Sequence, residues 1–186
     1  DADSIAMSNQ IHSDLVRPVT CADVKRDLYD VEPYEVDGLV TDIPGVSLVV
    51  FGADCLPVLF YDPVRRVAAA PHAGWRGTAA GIVERAVEKM AFYGSRPEDI
   101  LAAIGPGISR CCFETHEDVP NAMTSALGVC ATPYIDPIEN GKFKVDLKGI
   151  NAMRLERAGL LPEHIAVSGD CTACHPEKYW SHRVTN

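Results

Sequence analysis

Two short apolar runs near the centre of the chain most constrain its fold. The first covers residues 56–61 (Leu-Pro-Val-Leu-Phe-Tyr) and the second covers residues 66–70 (Arg-Val-Ala-Ala-Ala). The polar segment 62–65 between them contains a proline. Apolar runs of this length that flank a proline-containing turn predict a β-hairpin, and we expect the rest of the chain to be organised around it.

The position of the turn decides which side chains face each other across this hairpin. If the turn is centred on Pro63 and Val64, Cys55 and His72 are equally distant from it and lie opposite each other. Directly opposed Cβ atoms are roughly 4.5–5.5 Å apart, close enough for one metal ion or one hydrogen bond to join the side chains. A slip of one residue would place them on opposite faces, and a structural cysteine beside an ordinary histidine is the alternative.

Composition restricts the classes of function. The 186 residues suffice for one domain, and 47% hydrophobic and 23% charged residues are ordinary for a globular protein. A formal net charge of −9 and a pI near 5.0 disfavour a binder of nucleic acid or acidic membranes. No apolar run approaches the ~18 residues of a membrane span, and the first residues do not resemble a signal peptide. Seven cysteines without a tidy disulfide pattern favour reduced thiols in a cytoplasm.

The other segments predict both strands and helices. Further strands are predicted at residues 36–41, 46–51, 100–104, 143–145 and 165–167, and helices at residues 78–92, 117–127 and 146–158. The apolar residues of the helix 78–92 share one face, which predicts that this face packs on the core. The segment 17–37 carries many charges and is expected to be a surface connection.

Two glycine-rich segments are candidates for binding an anion. Residues 73–77 lead into the first predicted helix, whose N-terminus favours negative charge. Arg76 in this segment can clamp a phosphate or a carboxylate, although pairing with a neighbouring acid is an equal alternative. Residues 105–114 also place glycines directly after a strand, but they lack the Gly-Lys-Ser/Thr of a nucleotide P-loop. A nucleoside triphosphatase is therefore not expected.

A Cys-x-x-Cys motif, Cys171 and Cys174, lies near the end of the sequence with His175 and His182 close by. Such a motif can bind zinc, but zinc sites of this kind commonly use two pairs of ligands. Without a second pair of that spacing, we expect structural thiols. Taken alone, His12 is expected to be a partly exposed histidine.

Several motifs occur together in one order, and jointly they resemble the YfiH family. The motifs are Gln10-Ile11-His12, Ala53-Asp54-Cys55-Leu56-Pro57, His72-Ala73-Gly74-Trp75-Arg76-Gly77, Ile104-Gly105-Pro106, and Cys171-Thr172 followed by Ser181-His182-Arg183. Members of that family are described both as laccase-like polyphenol oxidases and as purine nucleoside phosphorylases. The resemblance implies an α+β fold with layered α/β/β/α architecture and mixed sheets, related to bacterial deamidating toxins. It covers nearly the whole chain, and residues 1–186 are expected to form a single domain that lacks N-terminal and C-terminal segments of the family.

The resemblance also implies a metal site formed by His12, Cys55 and His72, with zinc as the cofactor. Two imidazoles and a thiolate leave a fourth position open for water or substrate, as in catalytic zinc sites. Two histidines and a cysteine also occur in blue-copper sites. A multicopper oxidase needs a trinuclear centre with many histidine ligands, and six histidines are too few, so a laccase is not expected.

The activity implied is phosphorolysis of purine nucleosides (adenosine, inosine, guanosine and methylthioadenosine) together with adenosine deamination. The candidate residues are Cys55, His72 and Asp54 for catalysis, and Arg76, Gly105 and Arg110 for binding substrate and phosphate. Asp54 is expected to be an acid/base group or to orient His72, and Glu114 is a weaker candidate. The expected partners are the nucleoside and phosphate, with neither nucleic acid nor a membrane.

Two other functions stay open at this point. One is a cysteine or zinc amidohydrolase, in which Cys55 attacks an amide with His72 as base, for example in the editing of peptidoglycan precursors. The other is a protein without catalytic activity that keeps a metal for stability. Activity that survives a chelator would favour the thiol hydrolase, because thiol catalysis needs no metal.

Overall fold

The computed structural model describes residues 4–25 and 34–185. In chain order the strands are β1 (Ile5–Ala6), β2 (Val16–Pro18), β3 (Gly38–Thr41), β4 (Ser47–Leu48), β5 (Leu56–Asp62), β6 (Val67–Ala73), β7 (Leu101–Ile104), β8 (Glu114–Thr115), β9 (Ile135–Pro137), β10 (Phe143–Val145) and β11 (Ile165–Val167). The α-helices are α1 (Trp75–Ala80), α2 (Ile82–Ala91), α3 (Asp118–Leu127), α4 (Leu147–Arg157) and α5 (His182–Thr185). In these ranges no helix has the length and apolar character needed to cross a bilayer.

A six-stranded mixed sheet forms the centre of the fold, in the order β11-β7-β5-β6-β3-β2. The hairpin partners β5 and β6 occupy its two middle positions, and β7 and β3 flank them in antiparallel orientation. The outer strands β11 and β2 run parallel to their neighbours. Two smaller sheets, β8-β10-β9 and β1-β4, accompany it. The expected combination of helices with mixed sheets is confirmed.

The predicted hairpin forms, but its loop lies one residue later in the sequence than expected. Four residues connect β5 to β6. The Asp62 carboxylate begins this loop by accepting hydrogen bonds from the N–H groups of Val64 (2.8 Å) and Arg65 (3.0 Å). Arg66 ends it in a left-handed conformation with a φ of 58°. An acidic residue that caps its own turn in this way is typical of polar hairpin loops.

This displacement of the loop by one residue changes the cross-strand register by two residues. Pro57, and not Cys55, is the cross-strand partner of His72. Because successive side chains of a strand alternate between the two faces, a shift of two residues keeps Cys55 and His72 on the same face. The predicted opposition is therefore wrong, while the predicted proximity is preserved as a diagonal contact.

Two other local predictions need correction. The helix expected over 78–92 is split at Gly81, whose φ of 90° lies in the left-handed region that favours glycine, so α1 ends and α2 begins there. The segment 46–51 was expected to be a buried strand. Only Ser47–Leu48 is a strand there, it pairs with the two-residue β1 outside the main sheet, and Phe51 is 53% exposed. Of the expected surface connection 17–37, residues 26–33 lie outside the described part of the chain.

The core lies between one face of the main sheet and the helices. Strand β5 alternates in burial, so that Leu56, Val58 and Phe60 point into the core while Leu59 and Tyr61 are exposed on the other face. The core-facing residues of α2 are Ile82, Val83, Ala86, Val87 and Met90, as the helical spacing predicts. Burial of these apolar side chains is the main stabilising contribution to the sheet that carries the site.

This alternation predicts different costs for the same substitution at two positions of β5. Leu56→Ala removes a side chain that is 0% exposed and should lower the free energy of unfolding by about 2–5 kcal/mol through lost burial and a cavity. Leu59→Ala, at 51% exposure on the same strand, should cost less than about 1 kcal/mol. Urea unfolding of both variants measures the difference, and equal losses would contradict the assigned register.

Candidate functional site

Three separate segments bring His12, Cys55 and His72 together. His72 lies on β6, Cys55 directly precedes β5, and His12 lies in the loop before β2. One ligand atom from each of the three side chains lies within 4.8 Å of the others. The two imidazole rings are 5.0 Å apart with an interplanar angle of 72°. This spacing is suited to three protein ligands of one metal ion.

Asp37 fixes the loop that carries His12. Its carboxylate is 1% exposed and accepts hydrogen bonds from the N–H groups of Ile11 (3.1 Å), His12 (2.9 Å) and Ser13 (2.6 Å). The Ser13 hydroxyl donates a further bond of 2.7 Å. His12 has a φ of 63°, which a residue other than glycine rarely adopts. The four bonds to one carboxylate hold the loop in this conformation.

The same carboxylate orients His72. Nδ1 of His72 lies 2.9 Å from Asp37 Oδ1, and both side chains are almost completely buried. Since Nδ1 is bound to the carboxylate, Nε2 is the nitrogen that faces His12 and Cys55. A carboxylate behind a ligating imidazole is the arrangement that metal sites use to fix the tautomer and the ring orientation.

Hydrogen bonding controls the charge of these groups. Burial alone would raise the pKa of Asp37, but the hydrogen bonds from His72 and Ser13 outweigh burial and hold that pKa well below its usual range. Burial would lower the pKa of His72, but its hydrogen bonds to Asp37 and Cys55 raise it to about 9. The pKa of His12 is lowered by burial and by the nearby His72. Without a metal, both ring nitrogens of His72 therefore carry a proton at neutral pH, and a metal ion would have to displace the proton on Nε2.

Gly74 leaves the space in which these three side chains meet. A Cβ atom at Gly74 would lie 2.9 Å from Cδ2 of His12 and 3.0 Å from Sγ of Cys55. Real Cβ atoms essentially never approach a neighbour so closely. The glycine therefore lets the start of α1 pass directly beside the three ligand atoms, and the residues present fit a small metal ion with two nitrogen donors and one sulfur donor.

Asp54 does not have the orienting role toward His72 that was one of its two expected roles. The orienting bond to His72 comes from Asp37, and both Asp54 oxygens are engaged elsewhere. Oδ1 accepts from the Thr172 hydroxyl at 2.6 Å, and Oδ2 accepts from the Arg183 N–H at 2.7 Å. Asp54 therefore ties the C-terminal part of the chain to the segment that carries Cys55.

The three residues predicted to bind phosphate separate in the structure. Arg76 is exposed and stacks on the Trp75 ring at 4.2 Å, and it forms no ion pair with any residue the structure describes. Gly105 does not line the site, because its N–H donates to the Pro57 carbonyl and a Cβ there would lie 2.9 Å from the Pro57 side chain. This glycine permits close packing.

Arg110 is also directed away from the site. It forms an ion pair of 2.8 Å with Asp136 and donates to the Pro133 carbonyl. In the same loop, the N–H groups of Ile108 and Ser109 bind the Asp54 carbonyl and the Cys171 sulfur. The loop 105–110 therefore uses these two donors within the protein, where they are not free to bind phosphate.

Two cavities open onto the candidate ligand residues, and His72 lines the larger of them. The larger has a volume of about 530 Å³ and the smaller about 290 Å³, and both are lined by His12, Cys55 and His182. The exposed aromatic side chains Phe51 and Trp180 border the larger cavity. Arg76 and Arg183 border the smaller cavity, together with Trp75 and Phe113. Aromatic and cationic groups thus surround the ligand residues.

A second group of residues in the structure can hold a metal ion. The sulfur atoms of Cys111, Cys112, Cys171 and Cys174 all lie within 4.8 Å of one another. The sequence singled out the Cys-x-x-Cys half, but its partner is the adjacent pair Cys111 and Cys112, which does not have the usual ligand spacing. Only the fold brings these residues, about 60 positions apart, to one place.

Sequence reasoning also missed Asp37. A strand was predicted at 36–41, but its partner strand was not. Strand β3 pairs with β6 so that Gly38 lies opposite Pro71, and this register places Asp37 beside His72. The only signal in the sequence was an acidic residue at the start of a predicted strand. It identifies Asp37 as a partner of His72 only once the pairing of β3 with β6 is known.

The comparisons with known proteins agree with this fold. The family model described as multi-copper polyphenol oxidoreductase laccase matches residues 1–186, and the chain belongs to this family. The crystal structure of the Bacillus licheniformis hypothetical protein YfiH superimposes with a TM-score of 0.91 at 36% identity, covering 98% of this chain and 70% of that one. The resemblance to the YfiH family is thereby confirmed.

Characterised relatives carry activity names. Purine nucleoside phosphorylase YlmD of Bacillus subtilis is 36% identical over 186 residues, which is 98% of this chain and 66% of the relative. Adenosine deaminase RL5, from an unknown prokaryotic organism, is 32% identical over 188 residues, covering 98% of this chain and 71% of the relative. The chain spans between about one third and two thirds of the length of the first curated purine nucleoside phosphorylases it matches.

The central position of Asp37 predicts a large effect of Asp37→Asn. The amide retains the shape of the carboxylate but loses its charge, and its NH₂ group faces donors that the carboxylate accepted from. The free energy of unfolding should therefore fall by about 2–5 kcal/mol. The affinity of His12, Cys55 and His72 for added zinc should fall roughly 10–100-fold, because the carboxylate behind the His72 ring is lost. Urea unfolding and competition with a chelator measure the two effects. Asp42→Asn, at an exposed carboxylate, is the control, and an Asp37→Asn protein that behaves like it would refute the role of Asp37.

Proposed function

We propose that this chain carries the active site of a zinc-dependent purine nucleoside phosphorylase that also deaminates adenosine. The observation that carries the proposal is the meeting of the His12, Cys55 and His72 ligand atoms beside two cavities. Exposed aromatic rings border the larger cavity, and an arginine without an ion-pair partner among the described residues borders the smaller one. The activity names of the relatives agree with it.

The three ligand residues would hold the zinc ion. Two neutral imidazoles and a thiolate form a typical three-ligand set that leaves a fourth position open. Zinc bound there supplies a Lewis acid and lowers the pKa of water, which is what deamination requires. The contribution of this chain is to hold both imidazoles through Asp37 and to keep the space beside Gly74 free.

Arg76 is the group that we assign to phosphate. Its guanidinium is exposed at the smaller cavity and has no carboxylate partner among the described residues, so its charge is available to an anion. Stacking on Trp75 limits the directions in which it can point. Arg183 is less available, because it donates to the carbonyls of Cys112 and Glu114. In phosphorolysis a phosphate oxygen attacks the anomeric carbon of the ribose, the glycosidic bond breaks, and the purine leaves with a proton.

The larger cavity suits the purine. Phe51 and Trp180 are 53% and 83% exposed at its border, and flat aromatic rings stack favourably on a nucleobase. Gln10 holds Phe51 in place, since its side-chain amide accepts from the Phe51 N–H and donates to the Phe51 carbonyl, both at 2.8 Å. Gln10 lies two residues before His12, so the base-binding edge and the ligand loop are coupled.

A cysteine hydrolase is the second candidate, and one observation favours it. Cys55, His72 and Asp37 form a Cys-His-Asp series, since the Cys55 sulfur and a His72 ring nitrogen lie within 4.8 Å of each other and His72 Nδ1 lies 2.9 Å from Asp37 Oδ1. In that order a histidine can take the proton of a thiol while a carboxylate holds its tautomer. This mechanism needs no metal and no phosphate.

Turnover of inosine distinguishes the two candidates. Phosphate-dependent release of hypoxanthine that a chelator abolishes and zinc restores is the expected result, with near-complete loss in Cys55→Ala and His72→Ala. Arg76→Gln should raise the KM for phosphate about 10–100-fold, the loss of one hydrogen bond between charged groups. Arg85→Gln, at an exposed arginine of α2, is the matched control. Inosine turnover that ignores phosphate and survives the chelator would reject the phosphorylase. Metal-independent cleavage of an amide substrate that Cys55→Ala abolishes would support the hydrolase.

A further inference from the structure

The four-cysteine cluster is not used by the proposed reaction. It is formed by Cys111 and Cys112 in the turn before β8, and by Cys171 and Cys174 in the turn after β11. The structure describes all seven cysteines of the chain, and none forms a disulfide. Cys21 and Cys130 are exposed outside both clusters and therefore serve as controls.

The separations of the sulfur atoms fit a metal ion. Sγ of Cys174 lies 3.4 Å from Sγ of Cys112 and 3.7 Å from Sγ of Cys111. Four sulfur atoms at the usual zinc–sulfur distance of about 2.3 Å form a tetrahedron whose edges are about 3.8 Å long. The turn that carries Cys111 and Cys112 is tight, since the N–H groups of Cys112 and Phe113 both donate to the Ser109 carbonyl at 3.0 Å. This turn directs both neighbouring thiols to Cys174 despite their unusual spacing.

The surroundings of the cluster suit an anionic centre. Cys171 is 5% exposed, and its sulfur accepts a hydrogen bond of 3.3 Å from the Ser109 N–H. Lys148 is also 5% exposed, and its ammonium group binds the carbonyls of Ser168 (3.0 Å) and Asp170 (2.5 Å), directly before Cys171. Within the described ranges Lys148 has no carboxylate at ion-pair distance. Four thiolates around a divalent ion carry two negative charges, and a buried ammonium with an N–H donor would offset part of them.

We propose that Cys111, Cys112, Cys171 and Cys174 bind one zinc ion as four thiolates, and that this ion is structural. A tetrahedral set of four sulfur donors selects zinc or iron. With all four positions filled by protein, no position is open to substrate, as in structural zinc sites. Binding releases the protons of those thiols that are not yet ionised and involves no change in oxidation state.

The ion would join the two turns next to the cavity. From the first turn, the Cys112 carbonyl accepts from the Arg183 guanidinium at 3.1 Å. From the second turn, the Thr172 hydroxyl donates to Asp54 at 2.6 Å. These bonds hold Arg183 and Asp54 on either side of the smaller cavity. Zinc at the cluster therefore stabilises the C-terminal border of the cavity, whatever reaction takes place there.

Metal analysis of four proteins tests the site. We expect two zinc ions per chain in the wild type and in Cys130→Ser, and one in Cys55→Ala, which retains only the cysteine cluster. The double variant Cys171→Ser/Cys174→Ser should also bind one, and its Tm should fall by roughly 5 °C or more relative to Cys130→Ser. X-ray absorption of the zinc in Cys55→Ala should show four sulfur neighbours at about 2.3 Å.

The outcomes separate this proposal from the proposed function. One zinc per chain in both the wild type and Cys55→Ala would support the cluster and count against zinc at His12, Cys55 and His72. A Cys55→Ala protein without zinc, with iron, or with nitrogen or oxygen neighbours would overturn the cluster site. So would disulfides among the four cysteines in a mass spectrum of unreduced protein. If the double variant does not fold, the absorption spectrum of Cys55→Ala decides.

Discussion

The carboxylate of Asp37 is the interaction on which the site depends. Removing an ionised carboxylate from water costs several kcal/mol, and here five hydrogen bonds compensate for it, each contributing about 1.5–3 kcal/mol to a charged acceptor. Four of the bonds come from the loop that carries His12, and one comes from His72. The left-handed conformation of His12 and the orientation of the His72 ring are thus two consequences of one buried charge.

The sheet explains why this charge lies where it does. Strands β5, β6 and β3 are neighbours, so Cys55, His72 and Asp37 lie at one end of three adjacent strands. The core beneath them anchors these strands. His72 lies near the end of β6, while Cys55, Asp37 and His12 lie in the segments that precede β5, β3 and β2. A rigid sheet with functional groups at its edge is a common way to keep ligand atoms in place.

Local patterns predicted every strand of the main sheet except β2, and most of the helices, whereas contacts between distant residues escaped sequence reasoning. The hairpin was predictable because apolar runs and a proline are local signals, but its register depended on the bonds that Asp62 makes within the loop. Asp37 becomes a partner of His72 only through the pairing of β3 with β6. Arg110 was predicted to bind phosphate, because its ion pair with Asp136 joins segments that are distant in the sequence and no local pattern indicates it. The approach of Cys111 and Cys112 to Cys174 has the same non-local origin, while the grouping of His12 with Cys55 and His72 came from family resemblance.

The most direct test of the role of Asp37 is the protonation of His72 in the zinc-loaded chain. A long-range ¹H–¹⁵N correlation spectrum of the histidine side chains identifies which ring nitrogen carries the proton. We predict a proton on Nδ1 of His72, protected from exchange by Asp37, with Nε2 bound to the metal. A proton on Nε2, or Nδ1 as the metal ligand, would show that Asp37 does not orient this ring and would contradict the account.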